Sequence, residues 1–332
     1  MVLDAIDAMA FYFINIYFDG MGDFVGKLVI DRQKVKDEFG KYTGNYDVDN
    51  DKIKLKIEHT YRVADLCDKI AKDLGLSNYD IDIAWLIGML HDIGRFEQLR
   101  RYGTFSDAGS IDHAHYAAEI LFDDGEIARY IGNNVDICNF TESSNGTGND
   151  SSIKVETCGP GQIPGKYVND ICNDGSFTDT EIIRKAIWNH SAYRIEEGLS
   201  ERTVLFCNII RDADKVDIFK VIDDTPIGVI YKVNSEDAVN SEISNDVLQA
   251  IKEQHAVLRS LKKTYADHIA GHIALAFELV FPVSLRIAKE QGHLDKLMDF
   301  GTCNNKTKEQ FQEIRKIMEG YMEKRCVGSK DK

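Results

Sequence analysis

An imidazole and a carboxylate stand side by side at His91-Asp92, where an almost unbroken apolar run from Ile81 to Leu90 ends. A carboxylate beside a histidine in dry surroundings is costly unless a cation compensates it. A divalent metal ion would do so, because it takes neutral imidazole and ionised carboxylate as ligands. A helix end that breaks into solvent at His91 is the plainer account of the dipeptide taken alone. Other residues shift that balance. His59, His190 and Asp214 sit on apolar helical faces, with His113 near by. A lone histidine on such a face is usually a packed core residue; several in one chain, together with Asp92, point to metal chemistry. Imidazoles with carboxylates suit Fe, Mn, Co, Ni or Zn, and the lack of a thiolate argues against a structural zinc site.

The elements that must position these side chains read as helices. From Lys52 to Leu74, His59, Val63, Leu66, Cys67, Ile70 and Leu74 recur at three- and four-residue steps, with Gly75 as a stop. Ile81 to Leu90 is apolar nearly all round, as suits a helix buried at the centre of a bundle. Asp112 to Phe122 reads as a short helix. Asp179–His190 places Ile183, Ala186, Ile187 and His190 on one face. Glu201–Ile222 does the same for Phe206, Ile210, Ala213, Asp214 and Asp217. Further helices are expected at Ser244–Lys263, Tyr265–Val280, Val283–Gln291 and Thr307–Lys324. Between about 132 and 177 the periodicity dissolves into a polar, glycine-rich stretch, which reads as an insertion that can act as a lid.

Composition narrows the function classes. Forty Lys and Arg against 55 Asp and Glu give a net charge of −15. Such a surface repels an extended nucleic-acid backbone, although metal ions or a few arginines can reverse the potential around a small phosphorylated substrate. The 7 cysteines are odd in number and form no CxxC pair, so a reducing cytoplasm is the expected compartment. The apolar stretch from Ala5 to Phe18 is shorter than the ~20 residues that a membrane span needs, and Asp4 and Asp7 fit poorly with a secretory signal.

Local strings then carry a family resemblance. His59-Thr-Tyr-Arg-Val-Ala, Leu90-His-Asp-Ile-Gly-Arg95, His113-Ala-His-Tyr-Ala-Ala-Glu-Ile-Leu121, Ala186-Ile-Trp-Asn-His190 and Arg211-Asp-Ala-Asp-Lys-Val-Asp217 occur in that order. Together they resemble the HD-domain superfamily of metal-dependent phosphohydrolases over about Glu58 to Asp217. Ala117 stands where the family usually has glycine. The resemblance implies His59, His91, Asp92 and Asp214 as core metal ligands, with His113 and His190 completing a second site bridged by Asp92. His115 fits less well than His113, because only His113 places Ala117 at the glycine position.

The expected protein is therefore all-α, an HD-domain helical bundle with additional C-terminal helices. Residues 1–40 are expected to be an N-terminal extension, 41–225 the HD domain with its insertion at about 132–177, and 226–332 a C-terminal helical region packed on the core. The resemblance implies attack of metal-bound hydroxide on phosphorus in a small phosphomonoester or phosphodiester, a nucleotide first among candidates. One or two divalent ions (Mn, Fe, Co, Ni, Mg or Zn) would serve. Asp92, Arg95 and Lys215 are the candidate catalytic residues, Arg95 and Lys215 as phosphate contacts. Asp217 reads as a salt-bridge residue, and Arg100 and Arg101 as a solvated turn. The pair His268 and His272 has the i, i+4 spacing of zinc sites, but Ile269 stands where HExxH has its glutamate, so His272 is expected to pack and His268 to cap the helix or support another group. Two other classes remain open: an oxygenase, since the scaffold also resembles the di-iron site of inositol oxygenase, and a nucleotide-sensing module without turnover. No membrane span is expected, and homo-oligomerisation is left open.

Overall fold

The computed structural model describes residues 28–133, 178–225 and 238–327. The expected insertion therefore lies almost wholly outside the described residues, as do residues 1–27. Among the described residues the fold is all-α, apart from one antiparallel pairing of Leu28–Val29 (β1) with Gly132–Asn133 (β2).

The helices of the first part are α1 (Arg32–Thr43), α2 (Asp51–Asp73), α3 (Asn78–Leu90), α4 (Ile93–Tyr102), α5 (His113–Ala118), α6 (Asp179–Asn189) and α7 (Glu201–Asp224). Their starts follow from side-chain oxygens that take the free N–H groups of the first turn: Asn50 for α2, Ser77 for α3, Asp112 for α5, Thr178 for α6 and Ser200 for α7. Helix α1 contributes Val35 and Phe39 to the same core, Phe39 packing edge-on to Phe96 of α4 with ring centres 5.9 Å apart. A boundary at residue 40 would cut through this helix.

Two close helix approaches set the site. A Cβ on Gly88 of α3 would lie 2.6 Å from the Ala64 Cα of α2. One on Gly94 of α4 would lie 2.5 Å from the His113 carbonyl oxygen and 2.9 Å from the Ala117 nitrogen of α5. Gly94 thus provides the room that a glycine at 117 would otherwise give, and Ala117 packs fully buried against it.

The C-terminal helices are α8 (Asn245–Lys252), α9 (Tyr265–Ile273), α10 (Pro282–Gln291), α11 (His293–Met298) and α12 (Asn305–Val327). Helices α9, α10 and α11 pack on α7, and their apolar residues join one continuous core with the first part. The buried Asp212 carboxylate of α7 accepts from the backbone N–H groups of Val280 and Phe281 at 2.9 to 3.0 Å, at the start of α10. Two sequence expectations are corrected here. The helix expected over Ser244–Lys263 ends at Lys252, because Gln254 adopts a left-handed conformation (φ 57°) and the chain turns away. The helix expected over Tyr265–Val280 tightens into a 3-10 turn at Ala274–Glu278, then leaves helical geometry where Asp212 captures its continuation.

Candidate metal centre

Six side chains from five elements converge: His59 of α2, His91 and Asp92 at the α3–α4 junction, His113 at the start of α5, His190 at the end of α6, and Asp214 of α7. Asp92 occupies the N-cap position of α4, yet its carboxylate makes no capping bond. It points into the cluster instead, and its two oxygens face different partners. Oδ2 lies 3.6 Å from Nε2 of both His59 and His91. Oδ1 lies 3.4 Å from His113 Nε2 and 3.7 Å from His190 Nε2. Asp214 Oδ1 stands 3.2 Å from His59 Nε2, on the Oδ2 side.

Each imidazole is oriented through its other nitrogen. His91 Nδ1 donates to the Gly88 carbonyl at 2.8 Å, and His190 Nδ1 to the Ile187 carbonyl at 2.7 Å. Carbonyls only accept, so in the neutral rings both Nε2 atoms carry lone pairs. His59 Nδ1 donates to Asp217 at 2.6 Å, and His113 Nδ1 to Asp107 at 2.9 Å. Four lone pairs therefore converge. His113 Nε2 and His190 Nε2 stand only 3.0 Å apart, two acceptors that need a cation between or beside them. The buried Nε2 atoms of His59 and His91 have no hydrogen-bond partner. Unpaired buried polar atoms are expensive. A nitrogen–oxygen donor set with orphaned lone pairs fits a divalent metal, and two overlapping groups could hold one: His59, His91 and Asp214, and His91, Asp92 and His190.

For His91 and His113 the electrostatics favour that donor state. Burial lowers His91 to about 3 and His113 to about 4, so both rings are neutral at pH 7. Burial and Lys56 push His59 down, but the carboxylates of Asp214 and Asp217 outweigh them and raise it. Burial alone would raise Asp92; the ammonium of Lys56 and the neighbouring imidazoles hold it well below the usual carboxylate range instead. Asp214 is likewise held low, with burial outweighed by His59.

Several supporting residues escape sequence reasoning. Lys56 Nζ donates to Asp92 Oδ2 at 2.6 Å; its position one turn before His59 was the available signal. Arg62 clamps Asp217 with Nε at 2.6 Å and Nη2 at 3.0 Å, so the Asp217 salt bridge also fixes the His59 ring. Asp107, in the loop before α5, had no spacing signal at all. Arg95 lies on the Oδ1 side: its Nε is 3.5 Å from Asp92 Oδ1, and its Nη1 donates to Asp107 and to the Phe105 carbonyl at 2.7 Å. Lys215 points elsewhere, its Nζ 3.5 Å from Glu278 in the C-terminal region. His115 stacks on Trp188, ring centres 3.8 Å apart, outside the cluster. His268 and His272 lie on α9 and are not among the groups that could hold a metal. A further group, Asp223, Asp224 and His293, is more exposed, and its His293 Nδ1 already bonds Asp223 at 2.6 Å.

The all-α bundle thus carries a His/Asp cluster that could hold a metal ion. The HD-domain family model matches residues 57–218, and this part of the chain belongs to the HD superfamily of metal-dependent phosphohydrolases. No curated protein and no solved structure matches the chain.

Proposed function

We propose that the protein hydrolyses a small phosphomonoester or phosphodiester, a nucleotide first among candidates, at the His/Asp cluster. The observation that carries this reading is the division of Asp92: one oxygen faces His59 and His91, the other His113 and His190. His59, His91, Asp92 and Asp214 would hold one divalent ion; His113 and His190 would complete a second site with Asp92 as the bridge. A bound divalent ion supplies Lewis acidity and a water of lowered pKa. The chain's own residues do the rest. Asp217, Asp107 and the Gly88 and Ile187 carbonyls keep the four imidazoles in the donor tautomer. Lys56 and Arg95 flank the Phe105 ring, at 5.7 and 5.9 Å from its centre, and put two cations at the edge of the cluster. They offset the charge of an incoming phosphate, which a chain of −15 otherwise repels.

The test is metal analysis and a hydrolysis screen over nucleotides, cyclic dinucleotides and p-nitrophenyl phosphate, with Mn, Mg, Fe, Co and Ni. Wild type should carry metal and hydrolyse at least one ester. Asp92→Ala should lose metal and activity together with helicity unchanged; retained stoichiometric metal would falsify the bridging role. Iron with oxygen consumption and no ester hydrolysis would favour oxygenation instead.

A further inference from the structure

The two cations at the edge of the His/Asp cluster are held in different ways. Arg95 is fixed from several sides: its Nη1 donates to Gln98 Oε1, to the Phe105 carbonyl and to Asp107 Oδ1, each at 2.7 Å. Lys56 has a single hydrogen bond among the described residues, the 2.6 Å contact of Nζ with Asp92 Oδ2. The centre of the Phe105 ring lies 5.7 Å from that ammonium and offers an aromatic face beside it. The Lys56 side chain is 18% exposed and that of Asp92 3%, so the ammonium borders solvent while the carboxylate does not.

Asp92 Oδ2 is also the oxygen that faces the Nε2 atoms of His59 and His91, at 3.6 Å each, and neither nitrogen has a hydrogen-bond partner. The ammonium therefore stands on the oxygen that this half of the centre would offer to a divalent ion. A buried carboxylate needs one cation. Two cations on the same oxygen repel each other, and strongly where water is excluded. Lys56 and a divalent ion are accordingly alternatives at Oδ2. Lysine suits such an exchange, being a point charge on a flexible four-carbon stem, whereas the Arg95 fork is locked by three acceptors. Helix α2 carries Lys56 one turn before His59, so only the stem has to move.

We propose that Lys56 is an exchangeable counter-ion of Asp92: it pairs with Oδ2 in the metal-free protein, gives that oxygen up on metal loading, and then turns its ammonium to the phosphate of the substrate. Phosphate binding by Lys56 is thereby conditional on a loaded centre, whereas Arg95 is in place either way. This rests on the phosphoester reading above. It gives Lys56 opposite effects on metal and on phosphate, which a lysine that merely orients Asp92 does not have.

The experiment is calorimetric titration of the metal-free, full-length protein with Mn, and then of the Mn-loaded protein with inorganic phosphate. Lys56→Met should bind Mn about tenfold more tightly, the reverse of the roughly 10- to 100-fold loss that follows removal of an orienting partner. The same variant, loaded with Mn, should bind phosphate about tenfold more weakly, as loss of a charge-assisted hydrogen bond does. Lys56→Gln keeps an N–H donor for Asp92 without the charge; it should shift both affinities the same way, and it reads out if Lys56→Met folds poorly. Failure of either shift in the folded variants overturns the proposal. Absence of Mn binding by wild type overturns it together with the metal centre. Hydrolysis of p-nitrophenyl phosphate by Mn-loaded wild type is read in parallel; its failure counts against the hydrolase reading and leaves the two titrations to judge Lys56.

Discussion

The two sides of Asp92 are built differently. On the Oδ2 side, His59 and Asp214 sit within helices of 23 and 24 residues, and the His59 ring is fixed by a carboxylate that an arginine clamps. On the Oδ1 side, His113 opens a helix of 6 residues, and the ring is fixed by Asp107 from a loop. The first side inherits its geometry from long, capped helices packed at Gly88. The second depends on a loop held by Arg95, Gln98 and, from the C-terminal region, Arg259. One side is scaffold; the other is assembled. Damage to the second side should therefore be more selective.

The largest separation should come from the two orienting carboxylates. Asp217→Asn and Asp107→Asn should each cost roughly 10- to 100-fold in metal affinity, the usual effect of removing a group that orients a ligand. Titration with Mn should show Asp107→Asn weakening one of two equivalents and sparing the other. Equal weakening of both equivalents would erase the distinction between the sides.

Gly88→Ala and Gly94→Ala come next. Each forces a Cβ against backbone, at 2.6 Å from the Ala64 Cα or 2.5 Å from the His113 oxygen. A cost of about 1–3 kcal/mol in stability is expected for overpacking. Thermal unfolding should register both. Gly94→Ala should also weaken the Asp107-dependent equivalent, since the displaced atom belongs to His113. An unchanged Tm in Gly94→Ala would mean that α4 and α5 part at little cost.

A smaller effect is expected from pH on the metal-free protein. Folding lowers His91 to about 3 and His113 to about 4 from an ordinary value near ~6.5. Between these limits the unfolded chain binds more protons, so the contribution of both groups is complete above ~6.5 and is lost as pH falls towards about 4. His59 acts in the opposite sense: being raised, its contribution is present below ~6.5 and lost as pH climbs through its folded value. With two groups against one, Tm should fall from pH 7 to pH 5, and more gently in His113→Gln. A slope unaffected by His113→Gln would place the proton uptake elsewhere.

The smallest expected change is none. His268→Ala should keep its metal content, since α9 contributes nothing to the cluster; loss of one equivalent would mean that the Asp92 centre is not the whole of the metal chemistry.

Much of this molecule was legible in the sequence because helices write themselves locally. Apolar residues at three- and four-residue steps mark the helices that carry His59, His190 and Asp214, and an almost unbroken apolar run marks the one that ends at His91. The ordered strings around His59, His91-Asp92, His113, His190 and Asp214 marked the family. Helix ends in the C-terminal region were not legible, because a left-handed Gln254 and the capture of Val280 and Phe281 by Asp212 depend on contacts distant along the chain. Lys56 and Arg62 had only helical spacing to announce them, and Asp107 had nothing. Arg95 and Lys215 looked alike as cations beside ligands. Only the packing distinguished them, bringing Arg95 to Asp92 and Asp107 and turning Lys215 towards Glu278. Periodicity fixes which face of a helix is buried, but a side chain's partner across the core is decided by how those faces dock, and that information is not local.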